Sequence, residues 1–399
     1  MKTIFARRPS LLAIGLLASL GLGSAALAQS PARPEPLAPE ELTVEALAEQ
    51  MQPHWVWLND VSFDRMLDGR AYLVDADSGK MLGMVSGGYG HSTLMIAPDG
   101  RSFALPAIFY TRGTRGARTD VVTFYATKDL APGQEIEIPA KRFNGMPFLA
   151  SAPVMPGGRF GLIYNFTPAQ SLTVVDMVER RTVGETDTPG CGLVFPTSPT
   201  SFFMICSDGT LQAATVGADG AIALGKATAR PMFAADDPAT EKAVYTGREW
   251  LFFTFAGKVI PVRQTDAGVP GVGAAWSLTG RDESGWRPGG LQTAAYHAGS
   301  GRLYVLMHQG GPGTHKDPGT ELWVYDVAKR RRVARIALET PATSVAVSGD
   351  DKPLLYLVAL GETALRVLDA DTGKPLRRID GFGPTMTVIQ PAPIGGSAR

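Results

Sequence analysis

Seven times along the chain, an alternating apolar and polar strand meets a short polar turn and returns as a second alternating strand. AYLVDADSGKMLGMV (71–85) is the clearest copy, followed by VVTFYATKDLAPGQEIEIP (121–139), SLTVVDMVERRTVGETDT (171–188) and TLQAATVGADGAIALGKA (210–227). KVIPVRQTDAGVPGVGAAW (258–276), ELWVYDVAKRRRVARIAL (321–338) and ALRVLDADTGKPLRRID (364–380) complete the set. Several copies end their first strand on an aspartate: Asp75, Asp176, Asp326 and Asp369. Asp75 and Asp369 lie 294 residues and six steps apart, a mean period of 49. Alternation with period two describes a strand with one face on a core and one on water.

Between these hairpins runs a second recurring unit, an apolar strand, a turn and another apolar strand. STLMIAPDGRSFALPAIFY, SAPVMPGGRFGLIYNF, QTAAYHAGSGRLYVLMH and SVAVSGDDKPLLYLVAL are examples. Two hairpins per period make four antiparallel strands, the content of one propeller blade. A β-sandwich needs far fewer strands, and two sandwiches would not share one regular period. The expected fold is therefore all-β, a seven-bladed β-propeller of four-stranded antiparallel blades over residues 53–393. HWVWLND (54–60) and PTMTVIQP (384–391) lie at opposite ends of the array and are expected to complete one blade together, closing the ring. Residues 394–399 read as a flexible tail.

The N-terminus carries a different signal. MKTIFARR is basic, and the apolar run after it ends in Ala26-Leu27-Ala28. That pattern predicts a secretory signal peptide over residues 1–28, hence a soluble periplasmic protein with no membrane insertion after cleavage. Residues 29–52 read as an extended, Pro-rich N-terminal arm in which ELTVEALAEQM could form a short helix. Cleavage would remove Lys2, Arg7 and Arg8 and leave 35 basic against 38 acidic residues. A near-neutral chain without a basic stripe has no electrostatic footprint for nucleic acid.

Catalytic motifs are scarce. G-x-S-x-G, a phosphate loop, a dinucleotide fingerprint and C-x-x-C are all absent from the sequence. The five histidines are His54, His91, His297, His308 and His315, without the spacing that puts two metal ligands on one element. His308 and His315 flank HQGGPGTH, where a Gly-rich loop fixed by histidine hydrogen bonds is favoured over a metal site. No metal is expected. In SGGYGHSTL (86–94), Tyr89 and His91 sit in a glycine-flexible loop, so Tyr89 is either a binding aromatic or an inward-packed one. In SGWRPGGLQ (284–292), Trp286 and Arg287 are either interface anchors or a mutual cation–π pair.

LGMVSGGYGH, YTRGTRGARTDVV, CGLVFPTSPTSFFMICSDGTL, GWRPGG, AYHAGSGRLYVLMHQGGPGTHKDP and VYDVAKRRRVARI together give the chain a family likeness over essentially its whole mature length. It resembles the heavy (β) subunit of tryptophan tryptophylquinone-dependent amine dehydrogenases. The resemblance implies a periplasmic complex of two heavy and two light (α) subunits that deaminates a primary amine to aldehyde and ammonia. It also implies electron transfer to a small blue copper protein, azurin or amicyanin-like. The quinone would be made on the light chain, leaving this chain with no catalytic residue, no cofactor and no activity alone. By the match, Tyr89 would face the substrate channel at the light-chain interface, where the family usually has Phe, and His91 would lie near its entrance. MHQGGPGTHKDP and ARPMFAADDP look more like the aralkylamine (aromatic amine) branch, and GWRPGG more like the methylamine branch; the aromatic branch is preferred. The alternatives are a methylamine dehydrogenase heavy subunit, a propeller quinoprotein with its own cofactor, or a non-enzymatic periplasmic propeller acting as a binding or scaffold protein.

Cys191 and Cys206 are the only cysteines. Folding CGLVFPTSPTSFFMIC about Ser198-Pro199 places them opposite each other, and facing residues of an antiparallel pair fall within disulfide range. In an oxidising compartment they are expected to be joined as a staple rather than to act as a redox or metal centre.

Overall fold

A computed structural model describes residues 45–393, apart from residues 64, 91 and 144. The predicted signal peptide, most of the arm and the tail lie outside the described residues. Residues 45–51 contain no helix. Their backbone instead bonds outward, with Leu47 N donating to Lys128 O (2.7 Å) and Met51 N to Gly100 O (2.9 Å).

The described chain is all-β apart from one 3-10 turn at Leu149–Ser151. All seven expected hairpins are present, including Gly69–Asp75 with Lys80–Gly88, Gly319–Asp326 with Arg331–Ala342, and Ala364–Asp369 with Pro375–Asp380. In most, the first strand is largely buried and the second largely exposed, as in Ser171–Asp176 and Arg181–Asp187. The recurring aspartates tie the turn between the two. Asp75 accepts from Asp77 N and the Ser78 hydroxyl, Asp176 from Val178 N and Glu179 N, Asp326 from Lys329 N, and Asp369 from Thr372 N. A carboxylate that binds amides two or three residues ahead folds the chain back on itself.

Hydrogen bonding divides the described strands into six sheets rather than seven equal blades. The largest holds eight strands, because a single parallel bridge, Gly88↔Ile108, joins two four-stranded halves. The sheet of Phe160–Asn165, Ser171–Asp176 and Arg181–Asp187 has three strands, its fourth member reduced to the isolated bridge Val154↔Gly161. The two end segments pair as expected, Trp55–Asp60 running antiparallel to Met386–Pro391.

Seven clusters of buried residues lie between successive hairpin pairs. One joins Leu162 and Val174 to Val194 and Met204, the next Phe195 and Phe203 to Phe252 and Ile260. Another joins Val56 and Tyr72, near the start of the array, to Tyr356 and Val367 near its end. Amide side chains lock the innermost strands where no backbone ladder runs. Gln390 donates to Leu94 O (2.8 Å) and accepts from Leu94 N (2.9 Å), and Gln292 clasps Ile389 in the same way (3.0 and 2.7 Å).

Candidate functional site

The loop carrying Tyr89 leaves the outer strand Lys80–Gly88 and is built on two left-handed glycines, Gly88 (φ 63°) and Gly90 (φ 60°). At Gly88 a Cβ would sit 2.6 Å from Ile108 O, so only glycine fits that close approach. Tyr89 N donates to Ile108 O (2.8 Å) and Gly90 N to Met66 O (3.2 Å). The half-buried Tyr89 ring meets Tyr110 edge-on, with centroids 5.2 Å apart. Tyr89 is thus braced by Tyr110 and remains partly exposed. His91 lies outside the described residues.

A buried polar group underlies this loop. Asp120, fully buried, takes both bonds of the Arg118 fork (2.6 and 2.6 Å) and also accepts from Arg142 N (3.1 Å). The Asp120 bond keeps the Arg118 guanidinium charged beyond its usual range. Arg142, only 4% exposed, sends Nη2 to Gly90 O (2.6 Å) and Nη1 to Phe143 O (3.1 Å). Burial pulls its pKa down to about 10, against the opposing charge of Asp120.

From Phe143 an aromatic strip continues through Phe148 (6.1 Å), Tyr164 (5.8 Å) and Phe166 (6.0 Å). Phe166 is 52% exposed, and Phe109, beside Gly88, is 45% exposed. The strip was not singled out from sequence: its members are scattered over separate repeats. The one local signal was KRFNGMPF, an arginine among aromatics in a connection.

The strip ends near the disulfide. Cys191 and Cys206 are bonded, with Cα atoms 3.9 Å apart, and Tyr164 packs against the intervening Gly192. The cysteines face each other, but not through the simple count. Near the tip Phe195 pairs with Phe203 and Pro196 with Phe202, a register that would set Gly192 opposite Cys206. A bulge at Leu193 and Val194, with Leu193 at φ 59°, absorbs one residue and restores Cys191↔Cys206.

Trp286 and Arg287 do not stack on each other. Arg287 Nε donates to Gly310 O (2.8 Å). Trp286 lies against Trp323 (5.2 Å) with the Arg335 guanidinium 4.9 Å over its ring. Adjacent residues of the strand Trp286–Pro288 point to opposite faces, which separates the two side chains. His308 Nε2 bonds the Thr314 hydroxyl (2.9 Å) across the Gly-rich loop, while His315 stacks on Phe255 (3.8 Å). Among the described residues no group of three or more His, Cys, Asp or Glu side chains is arranged to hold a metal.

Comparison with known proteins places this arrangement. Similar solved folds include a functionally unknown protein from Desulfotomaculum acetoxidans (TM-score 0.59, 12% identity, 84% of this chain and 98% of that one). The periplasmic gluconolactonase of Pseudomonas aeruginosa is another (TM-score 0.57, 16% identity, 85% and 99%). At those identities the likeness concerns the fold alone. The methylamine dehydrogenase heavy chain of Methylophilus methylotrophus is 32% identical over 322 residues, covering 80% of this chain and 78% of its own. That of Paracoccus versutus is 33% identical over 320 residues, covering 78% and 73%. The family model described as methylamine dehydrogenase heavy chain matches residues 54–392, from just before the first strand to just past the last. The chain belongs to the methylamine dehydrogenase heavy chain family.

Proposed function

We propose that this chain is the heavy subunit of a periplasmic, quinone-dependent amine dehydrogenase. The match of the family model over residues 54–392 carries the reading. In it, a small light subunit bears tryptophan tryptophylquinone, two copies of each subunit assemble, and electrons leave to a blue copper protein of the azurin or amicyanin kind. The quinone, when present, supplies the electrophilic carbonyl and the two-electron sink for deamination. This chain supplies the surroundings: the Tyr89 ring at the channel, and the exposed rings of Phe109 and Phe166 as apolar contacts for the light subunit.

This chain's own tryptophans do not suit such a cofactor. Among the described residues the tryptophans in ring contact with each other are Trp286 and Trp323. Trp323 is fully buried, and Arg332 and Arg335 cover its ring at 4.1 and 4.7 Å. No amine reaches a ring so enclosed. The fold in this reading is a seven-bladed ring closed by Trp55–Asp60 and Met386–Pro391, supported by their pairing and by the seven inter-sheet clusters.

The relatives' name favours methylamine as the substrate. A second reading, an aromatic amine, keeps the support of MHQGGPGTHKDP and ARPMFAADDP. Purification of the tagged chain from its own periplasm tests the function: a small cysteine-rich partner should co-purify, and the complex should absorb as a quinone and reduce a dye with amine. The chain expressed alone should be colourless and inactive; a coloured, active isolated chain overturns the proposal. Turnover of methylamine against 2-phenylethylamine decides between the two amine classes.

A further inference from the structure

Arg142 spends its guanidinium in an unusual way. Among the described residues no ion pair joins its side chain to a carboxylate: Asp120 gives both oxygens to the Arg118 fork, and it meets Arg142 through the backbone N and through its charge. A buried guanidinium without a carboxylate partner is costly to keep, and its Nε has no hydrogen-bond partner. What the side chain does make is a rigid fork between two carbonyls. Nη2 holds Gly90 O at 2.6 Å, across 52 residues of sequence, and Nη1 holds Phe143 O at 3.1 Å. The fork is planar and cannot shorten one bond independently of the other. It therefore fixes the Tyr89 loop to the aromatic strip. Gly90 N is tied to Met66 O and Tyr89 N to Ile108 O, so the guanidinium completes a three-point mount for a loop whose two glycines would otherwise let it swing.

We propose that Arg142 is a positioning residue that sets amine selectivity, by clamping Gly90 and so fixing where the Tyr89 ring stands at the substrate channel. This rests on the amine dehydrogenase reading above. Arg142 touches no reacting atom; it acts through the loop. Lysine at this position keeps the charge but has no fork and reaches one carbonyl at most. The loop then gains freedom while the strands beneath it keep their ladder of Ser102–Tyr110 with Arg118–Ala126.

The test uses the purified two-subunit complex with Arg142→Lys, Tyr89→Ala and the double substitution. Arg142→Lys should change the ratio of kcat/KM for methylamine over 2-phenylethylamine by about tenfold, mostly through KM. In the Tyr89→Ala background the same substitution should change that ratio less than about twofold, because the ring it positions is gone. Additive effects, or an unchanged ratio with lowered kcat for both amines, overturn the selectivity role. Hydrogen exchange on this chain separates the two ideas. Arg142→Lys should speed exchange of the Tyr89 and Gly90 amides at least about fivefold and leave Ser102–Tyr110 unchanged. Unchanged exchange at Gly90 overturns the clamp. Faster exchange in Arg142→Lys, when the wild-type complex oxidises neither amine, upholds the clamp and sinks the amine dehydrogenase reading instead.

Discussion

At the scale of single residues, His54 shows how a side chain can join distant parts of the chain through its charge. Nδ1 faces Asp77 (2.8 Å) and Nε2 faces Asp350 (3.1 Å) and Lys352 O (3.2 Å), so both ring nitrogens meet acceptors. Burial lowers its pKa, but the bond to Asp77 and the charges of Asp350 and Asp77 outweigh it and raise the pKa above the ordinary value. A raised folded pKa gives stability that is complete below the unfolded pKa, near 6.5, and is lost as pH rises through the folded value. On the acid side, burial raises the Asp350 carboxyl, but the bonds from Ser348 and Lys352 N and the charge of His54 outweigh it, leaving a net depression. Its contribution is present above the unfolded carboxylate pKa and fades as pH falls. Melting temperatures measured from pH 5 to 8.5 should therefore drop at the alkaline end in the wild type, by about 2 °C more than in His54→Gln. Parallel curves for the two proteins would show that the ring carries no linked proton. None of this was visible in HWVWLND, because both carboxylates come from other turns, Asp350 being 296 residues away.

At the scale of elements, the hairpins were legible because each is local: two period-two strands and an aspartate that folds the turn between them. The disulfide pairing was legible for the same reason, although the bulge at Leu193 was not. Counting from the middle of the segment assumes a regular ladder, and no residue type at 193 announces a left-handed backbone. The cross-link closes a loop with a sequence separation of 15. Replacing both cysteines by alanine should lower unfolding stability by about 3 kcal/mol, read from urea or guanidinium midpoints, with turnover in the assembled complex retained. A stability loss well under 1 kcal/mol would mean that the bulged ladder holds its register without the bond. What the sequence left hidden was the relation between elements. Arg142 and Gly90 belong to different connections, and the cation–π partner of Trp286 proved to be Arg335, from the outer strand Arg331–Ala342, rather than the adjacent Arg287.

At the scale of the whole molecule, stability depends on side chains and strands that tie one repeat to another. Gln390→Leu leaves Leu94 N and Leu94 O unpaired at a site where Leu94 is 2% exposed, and should cost roughly 3 kcal/mol. A denaturation midpoint like that of wild type would mean that water replaces the amide. Removing residues 385–399 should be worse, because Trp55–Asp60 loses its neighbour and presents a bare, fully buried-type edge. Size-exclusion chromatography should find that product aggregated, and a soluble monomer with a near-normal melt would refute the dependence. The pairing of the first strand with the last has a further consequence for the cell. No prefix of the polypeptide that stops short of Met386 can complete its first sheet, so a message broken anywhere upstream yields an unfinished edge. Truncated products of that kind would expose the unpaired edge to aggregation and proteolysis, whereas a chain that reaches through Pro391 can close its first sheet.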